Sequence, residues 1–433
     1  MRNKLFLALF LTIFTCSALY VANIEAAGIT KYQPLNTAAF WQKQNPRGNE
    51  TILDADGIAR LNKSIIQQTS TVVDLANYPR SQSSNIVRGT VNERLKLLND
   101  GLYVNGSLLS ANYKEVIRQE ANLNALNQYI NVRYGVVIRR SNLRALPTND
   151  GWFQYASDKH FDQLQETAVD PSEPVVILHQ SKSGNFFFVQ MRNYRGWLPT
   201  WQVAETTREK WLEYVKPEQF LVVTTNRYTV NVNNTNLIYQ MGSKIPVRRV
   251  SEQDYTITVP LRDAQGHLAE TTTVIPASNN FNVGFLPYTS NNILQQAFRF
   301  INDPYGWGGL RDSVDCSAFI ADIYRTVGVE LPRDADEQEL TAGRRYSFSN
   351  MSESGRKAIL SSLQPGDVLF FEGHTMMYVG NTQGTPFVIH ALGSHYINGQ
   401  KQSILQVVVS DLSLRRYSGT SYLNTLRNAM SYQ

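Results

Sequence analysis

Cysteine is almost absent from this chain: two occur among 433 residues, Cys16 in an apolar N-terminal stretch and Cys316 far downstream. Once that stretch is removed, a single thiol is left and no internal disulfide can form. In an oxidising compartment a lone thiol is a liability, which points to its being kept for reactivity. Histidine is sparse too, with six residues and no His-x-x-x-His spacing, so no metal and no cofactor is expected. Dense Lys/Arg runs are missing, and a net charge of +5 makes no case for a nucleic-acid partner. Long apolar runs are missing as well. The one candidate, Leu5 to Val21, is shorter than the roughly 20 residues a membrane span needs, so no stable span is expected.

What is present at the start reads as an export signal. Arg2 and Lys4 precede the apolar run and small residues follow at Ala22, Ala26 and Ala27, so residues 1–26 are expected to be removed as a signal peptide. Two alternatives stay open: an uncleaved anchor, and a lipoprotein joined through Cys16. Phe14 and Thr15 fit the lipoprotein cleavage pattern poorly. The expected address is the periplasm or cell envelope. Residues 1–26 carry Arg2, Lys4 and Glu25, so the mature charge is +4. That mild excess favours closeness to an anionic envelope polymer.

A chain of this length suggests roughly three domains, and its texture changes along the way. Residues 27–127 read as mainly helical with long connections, on stripes such as Ile58, Leu61, Ile65 and Ile66. Trp41 sits among polar residues there. Residues 128–214 read as a small all-β barrel or sandwich, from short runs at Tyr134 to Arg140, Pro174 to Leu178, Phe186 to Gln190 and Tyr194 to Leu198. Residues 215–285 are strand-rich again, with turn chemistry at Asn233 to Asn236 and Asp263 to Gly266. Residues 286–433 read as α+β. Two helices, one capped within Thr289-Ser-Asn-Asn and one starting at Cys316, precede strand-like runs at Asp367 to Phe371, His374 to Val379, Phe387 to His390 and Ile404 to Val409.

The chemistry gathers at Tyr305-Gly-Trp-Gly-Gly-Leu-Arg-Asp-Ser-Val-Asp315-Cys316-Ser317. A glycine-rich loop runs into Phe319, Ile320, Ile323 and Val327 at helical spacing, with Gly328 as the stop. Cys316 therefore falls in the first turn of a helix, where the partial positive charge stabilises a thiolate. The ordinary reading of a lone cysteine is a small buried hydrophobe. Two histidines at the edges of strand-like runs favour a nucleophile instead. His374 opens an alternating run and suits the base. His390, at the end of the next strand, is placed to hydrogen-bond that imidazole and orient it. His395 falls in a Gly/Ser loop and reads as a surface residue, and His160, His179 and His267 read as ordinary.

These residues resemble the NlpC family of papain-like cysteine peptidases. The likeness rests on Tyr-Gly-Trp-Gly-Gly…Asp-Cys-Ser-Ala-Phe, Leu331-Pro-Arg-Asp-Ala-Asp-Glu-Gln338, Leu363-Gln-Pro-Gly-Asp-Val368 and His374-x-x-x-Tyr-Val-Gly, in order over about a third of the chain. Tyr134 to Pro147, with Tyr194-Arg-Gly-Trp197, resembles a bacterial SH3-like domain. Met241-Gly-Ser-Lys-Ile-Pro resembles its second copy, and the helical start resembles the stabilising domain found ahead of them. The resemblance implies hydrolysis of peptidoglycan stem peptides between γ-D-glutamate and a diamino acid such as diaminopimelate. Cys316 would be the nucleophile, His374 the base and His390 its orienting partner, with the Cys316 N–H helping to bind the oxyanion.

Members with SH3-like modules and an Arg-Asp-Ala motif are similar in preferring a free N-terminal L-Ala. That implies an Asp334 pairing with the ammonium, and Ser317 and Tyr305 lining the same subsite. The ordinary role for Asp334 is an ion pair with Arg333 or Arg311, or a cap for the Asp336-Glu-Gln338 segment. Two departures stand out: Ala318 where glycine is usual, and the Arg- and Ser-rich segment Thr341 to Ser362. Two rival functions remain. One is an inactive wall-binding protein. The other is acyl transfer or N-acetylmuramoyl-L-alanine amidase action on the same thiolate, and only a free-amine subsite needs a carboxylate at Asp334.

Overall fold

The computed structural model describes residues 28–433, so the expected signal peptide and Cys16 lie outside the described residues. The chain forms two compact units. One holds residues 28–54, Tyr288–Tyr305 and Gly343–Gln433; the other holds Ala55–Pro287 and Gly306–Ala342. Among the described residues no helix is long and apolar enough to cross a membrane.

The first unit is built on six antiparallel strands in the order Arg344–Ser347, Asn428–Ser431, Val368–Phe371, His374–Thr382, Thr385–Ile397 and Gln400–Asp411. The two longest form a hairpin whose register shifts between Leu392 and Ser394. Alternation along the strands sends Leu369, Phe371, Met376, Tyr378 and Val388 into one core, joined by Phe348 and Leu360. Those last two come from the Arg- and Ser-rich segment, which forms the edge strand Arg344–Ser347 and the helix Glu353–Ser362 capped by Ser352. The helix Ser290–Phe298 starts at Thr289, whose hydroxyl accepts the Asn292 N–H at 3.1 Å.

Trp41, set among polar residues in the sequence, is buried in the fold. It is 1% exposed, its ring lies 5.6 Å from that of Phe387, and a Cβ on Gly380 would come within 2.9 Å of it. The cause is long-range. Residues ahead of Asp54 join this sheet unit: Ile29 bridges Ser410, and Thr51–Leu53 pairs with Tyr288–Thr289.

In the second unit, the helices Ala55–Gln68, Asn85–Leu95 and Ala111–Glu120 are separated by single turns and very short strands. Seven strands then form one sheet, in the order Val203–Thr206, Arg133–Val137, Pro174–Gln180, Phe186–Gln190, Arg195–Pro199, Ser141–Arg144 and Gln165–Val169. The period of two splits its apolar residues between two cores. Val136, Val176, Phe188 and Trp197 face Val87, Val91 and Trp211, while Val137, Val175, Ile177 and Phe187 form the other core.

A further five-stranded sheet and a hairpin follow within residues 220–283. The hairpin Arg227–Val232 with Thr235–Gln240 turns at Asn233 and Asn234, both left-handed at φ 50° and 61°, as a two-residue type I′ turn requires. Leu221, Val230, Tyr239, Ile257 and Phe281 share its core.

Candidate active site

The cysteine helix is prepared by the loop before it. Gly308 and Gly309 adopt left-handed φ values of 56° and 79°. A Cβ on Gly308 would meet Gln165 at 2.5 Å, and one on Gly309 would meet Ala168 at 2.6 Å, so no side chain fits at either position. Gln165 Nε2 donates to the Gly308 carbonyl at 2.8 Å and Trp307 Nε1 donates to the Asp162 carbonyl at 3.0 Å. The loop is thus tied to the strand Gln165–Val169 and to the turn before it.

The helix Cys316–Arg325 begins at Asp315, whose carboxylate caps it by accepting the Ala318 N–H at 2.9 Å. The same carboxylate accepts the Gly308 N–H at 2.9 Å and pairs with Arg333 Nη2 at 2.6 Å. Burial raises the Asp315 pKa, but Arg333 and the backbone donors outweigh it and hold the acid below its ordinary range. Cys316 occupies the first helical position, half-buried, where the helix field favours a thiolate. Gly328, at φ 85°, follows the helix and lies beneath Phe285.

Ser317 Oγ donates to Asp315 at 3.3 Å and accepts from Arg333 Nη1 at 2.9 Å. Arg333 also donates to Thr167 at 2.8 Å, and Arg311 meets His160 at 2.6 Å. Asp334 forms a salt bridge with neither arginine. It stands at the cap position of the helix Ala335–Leu340 without making a side-chain cap bond. Its carboxyl lies beside the Tyr194 hydroxyl. Burial pushes its pKa up, opposed by the charge of Arg333 and by Tyr194.

Tyr194 in turn donates to Glu166 at 3.0 Å and accepts from Arg94 at 3.1 Å, and Arg94 pairs with Glu166 at 2.6 Å. Nothing local in the sequence points to this group, because its members come from three distant stretches. Tyr305 belongs to the other unit, buried, its N–H donating to the Leu405 carbonyl at 2.8 Å.

In the sheet unit, His374 opens the strand His374–Thr382 opposite Phe371. His374 Nε2 lies 2.7 Å from His390 Nδ1, and His390 Nε2 lies 3.1 Å from Ser410 Oγ, so the three form a hydrogen-bonded chain. The rings of Phe371 and Tyr422 enclose His374 at 5.3 and 6.2 Å. Burial pushes the His374 pKa down to about 4, with a further push from the charge of Arg416. His390 is driven well below its ordinary value by burial, then by His374 and His395. Both imidazoles are therefore neutral at neutral pH.

Two expectations about histidines need correction. His390 does not end its strand but lies within Thr385–Ile397, and His395 is no surface residue: it is 2% exposed in the same strand. The register shift between Leu392 and Ser394 lets the hairpin continue through Gly393, which a period-two reading takes for a break. Ser410 carried no signal in the sequence. Its place beside His390 depends on the strand register alone.

A thiol at the start of a helix, and a chain of neutral imidazoles on an antiparallel sheet, are the parts a papain-like thiol hydrolase uses. Comparison with known proteins gives the particular kind. Residues 302–416 match the model of the NlpC/P60 family, and residues 152–199 match that of an SH3 domain of the SH3b1 type. The chain therefore carries an NlpC/P60 domain and an SH3b-type domain.

"Dipeptidyl-peptidase 6" of Lysinibacillus sphaericus is 33% identical over 109 residues, covering 25% of this chain and 34% of that protein. "Gamma-D-glutamyl-L-lysine dipeptidyl-peptidase" of Bacillus cereus is 23% identical over 209 residues, covering 43% and 54% respectively. The chain thus spans from about a third to about half the length of these curated relatives. The solved structure of an NlpC/P60 endopeptidase from Photobacterium damselae subsp. piscicida superposes with a TM-score of 0.74 at 19% identity. That match covers 89% of this chain and 94% of the other, and it is a likeness of fold.

Proposed function

We propose that this protein is a cysteine peptidase that cleaves peptidoglycan stem peptides at the γ-D-glutamyl–diamino acid bond. It acts on murein peptides with a free N-terminal L-Ala. The observation that carries the reading is a match to the NlpC/P60 family over a segment with Cys316 at a helix start and His374 on a hydrogen-bonded imidazole chain. The name of the Bacillus cereus relative, a γ-D-glutamyl-L-lysine dipeptidyl-peptidase, supports the bond.

In this reading Cys316 attacks the scissile carbonyl and its own N–H helps hold the oxyanion. His374 takes the thiol proton and returns it to the leaving amine. For His374 to do so at Nδ1, its Nε2–H donates to His390 Nδ1, and His390 Nε2–H donates to Ser410. One tautomer of each ring satisfies the whole chain. His390 is then the orienting partner.

Asp334 receives the substrate ammonium, with Ser317 and Tyr305 lining the subsite. The region within residues 27–127 stabilises the modules after it, and residues 215–285 act as a second SH3-like module beside the one at 128–214. The peptidase domain is residues 286–433. The protein works after export, in the periplasm or cell envelope, and peptidoglycan or its fragments are its partners.

Digestion of purified muropeptides, with fragments identified by mass, tests the reading. The expected product pair is L-Ala-γ-D-Glu and a peptide beginning with the diamino acid. Cys316→Ala and Cys316→Ser should stay folded and inactive, and iodoacetamide should abolish activity at one equivalent. Turnover by Cys316→Ala would sink the thiol mechanism. Release of free muramic acid ends instead would identify an amidase, and binding without any cleavage a wall-binding protein.

A further inference from the structure

We propose that Arg416 binds substrate, receiving a carboxylate that flanks the scissile amide. The proposal rests on the reading of His374 as the base. Arg416 lies in the loop between the strand Gln400–Asp411 and the helix Tyr422–Thr425. Its backbone is held in a tight turn: the Arg416 N–H donates to the Thr420 carbonyl at 3.0 Å and the Gly419 N–H to the Arg416 carbonyl at 2.9 Å. Gly419 sits in the left-handed region at φ 78°, and the Tyr396 N–H ties the Arg415 carbonyl to the neighbouring hairpin at 3.0 Å.

The guanidinium carbon sits 5.3 Å above the Phe371 ring. The same ring lies 5.3 Å from the His374 imidazole and 4.8 Å from the Tyr422 ring. One aromatic side chain therefore carries the cation on its face and the imidazole beside it.

Unlike the arginines of the buried ion pairs, Arg416 has no counter-charge among the described residues. Arg140, Arg144, Arg192, Arg325 and Arg333 each pair with a carboxylate. No carboxylate among the described residues forms a salt bridge with Arg416. A half-buried cation beside a base is a cost in the empty protein, because it disfavours the imidazolium that catalysis must form. An incoming anion removes that cost.

The proposed substrate supplies one from either side of the reacting bond. The γ-linked D-glutamate keeps its α-carboxylate, and the diamino acid carries its own. The planar fork of a guanidinium matches a carboxylate and is already ordered by its stacking on Phe371. Binding would thus pair Arg416 and raise the basicity of His374 in one event.

The test uses the full chain and three peptides: L-Ala-γ-D-Glu-diaminopimelate, the same peptide with the glutamate α-carboxyl amidated, and the same with the diaminopimelate carboxyl next to the scissile amide amidated. On one amidated peptide the wild type should lose about 10- to 100-fold in kcat/KM, the range for a hydrogen bond between charged groups. Arg416→Met should lose a similar factor on the unmodified peptide and stop discriminating against the amide. Arg416→Lys should recover part of both. The peptide that shows the effect identifies which carboxylate is bound. If Arg416→Met cuts all three peptides as the wild type does, or loses the same factor on all three, the proposal is overturned. A wild-type enzyme that cuts none of them overturns the proposed function, and this inference with it.

Discussion

His374 and His390 differ in surroundings more than in sequence setting, and the roles proposed for them follow that difference. His374 touches Phe371, Tyr422 and His390, whereas His390 is enclosed between His374 and Ser410. Losing the base should cost more than losing its support. His374→Ala is expected to lower kcat by roughly 10² or more, and His390→Ala by less, with kcat read on the free peptide. The reverse order would exchange the two roles. Both rings also make a stability prediction. The His374 pKa falls from the ordinary 6.5 to about 4. As pH drops, the unfolded chain binds its proton first, so the stability contributed by the neutral ring is whole above 6.5 and drains away as pH approaches 4. His390, displaced in the same direction, adds to the loss. Urea midpoints taken across that window should fall steadily toward acid, and the fall should be shallower in His374→Phe.

The element that matters most is the cysteine helix, and its start is held by a charge network as well as by propensity. Asp315 serves as cap and as ion-pair partner of Arg333, both of them buried. Breaking a buried pair by removing one member costs about 3–5 kcal/mol. An exposed cap such as Ser352, which accepts the Gly355 N–H at 3.2 Å, is worth about 1 kcal/mol. Urea denaturation of Asp315→Ala and Ser352→Ala should separate by that difference. Equal losses would mean that Arg333 adds nothing to the cap. The helix itself was legible from the sequence, because its apolar stripe and glycine stop are local signals, while the Asp315 cap was not singled out: it runs Cys316–Arg325 with Gly328 just after it. The strand carrying His390 and His395 was legible only to its middle. Gly393 and Ser394 look like an end, and the pairing with Gln400–Asp411 carries the strand past them.

At the scale of the whole molecule the prediction concerns substrate choice. Asp334 is set among Arg333, Tyr194, Glu166 and Arg94, so its environment is assembled from the helical region, the β-rich region and the stretch after the cysteine helix. If this carboxylate receives an ammonium, L-Ala-γ-D-Glu-diaminopimelate is cut well, and the same peptide acetylated or muramoylated at its N-terminus is cut poorly. Asp334→Asn should slow the free peptide and narrow the gap. Equal rates on free and blocked peptides in the wild type would remove Asp334 from the role and favour an endopeptidase of intact wall.

What the sequence by itself determined is what short-range chemistry decides. A thiol at a helix start, a left-handed Asn-Asn turn, alternating strands and two histidines among apolar residues all follow from neighbours a few positions apart. The tertiary structure alone decided the rest. Trp41 is buried because residues ahead of Asp54 join a sheet made mostly by the end of the chain. Ser410 reaches His390 through strand register, Tyr194 reaches Asp334 through the packing of a β-rich region, and Arg416 reaches Phe371 through a loop turned back by Gly419. Each of these contacts joins residues far apart in the chain. Their energy lies in burial and charge pairing, which no local pattern encodes.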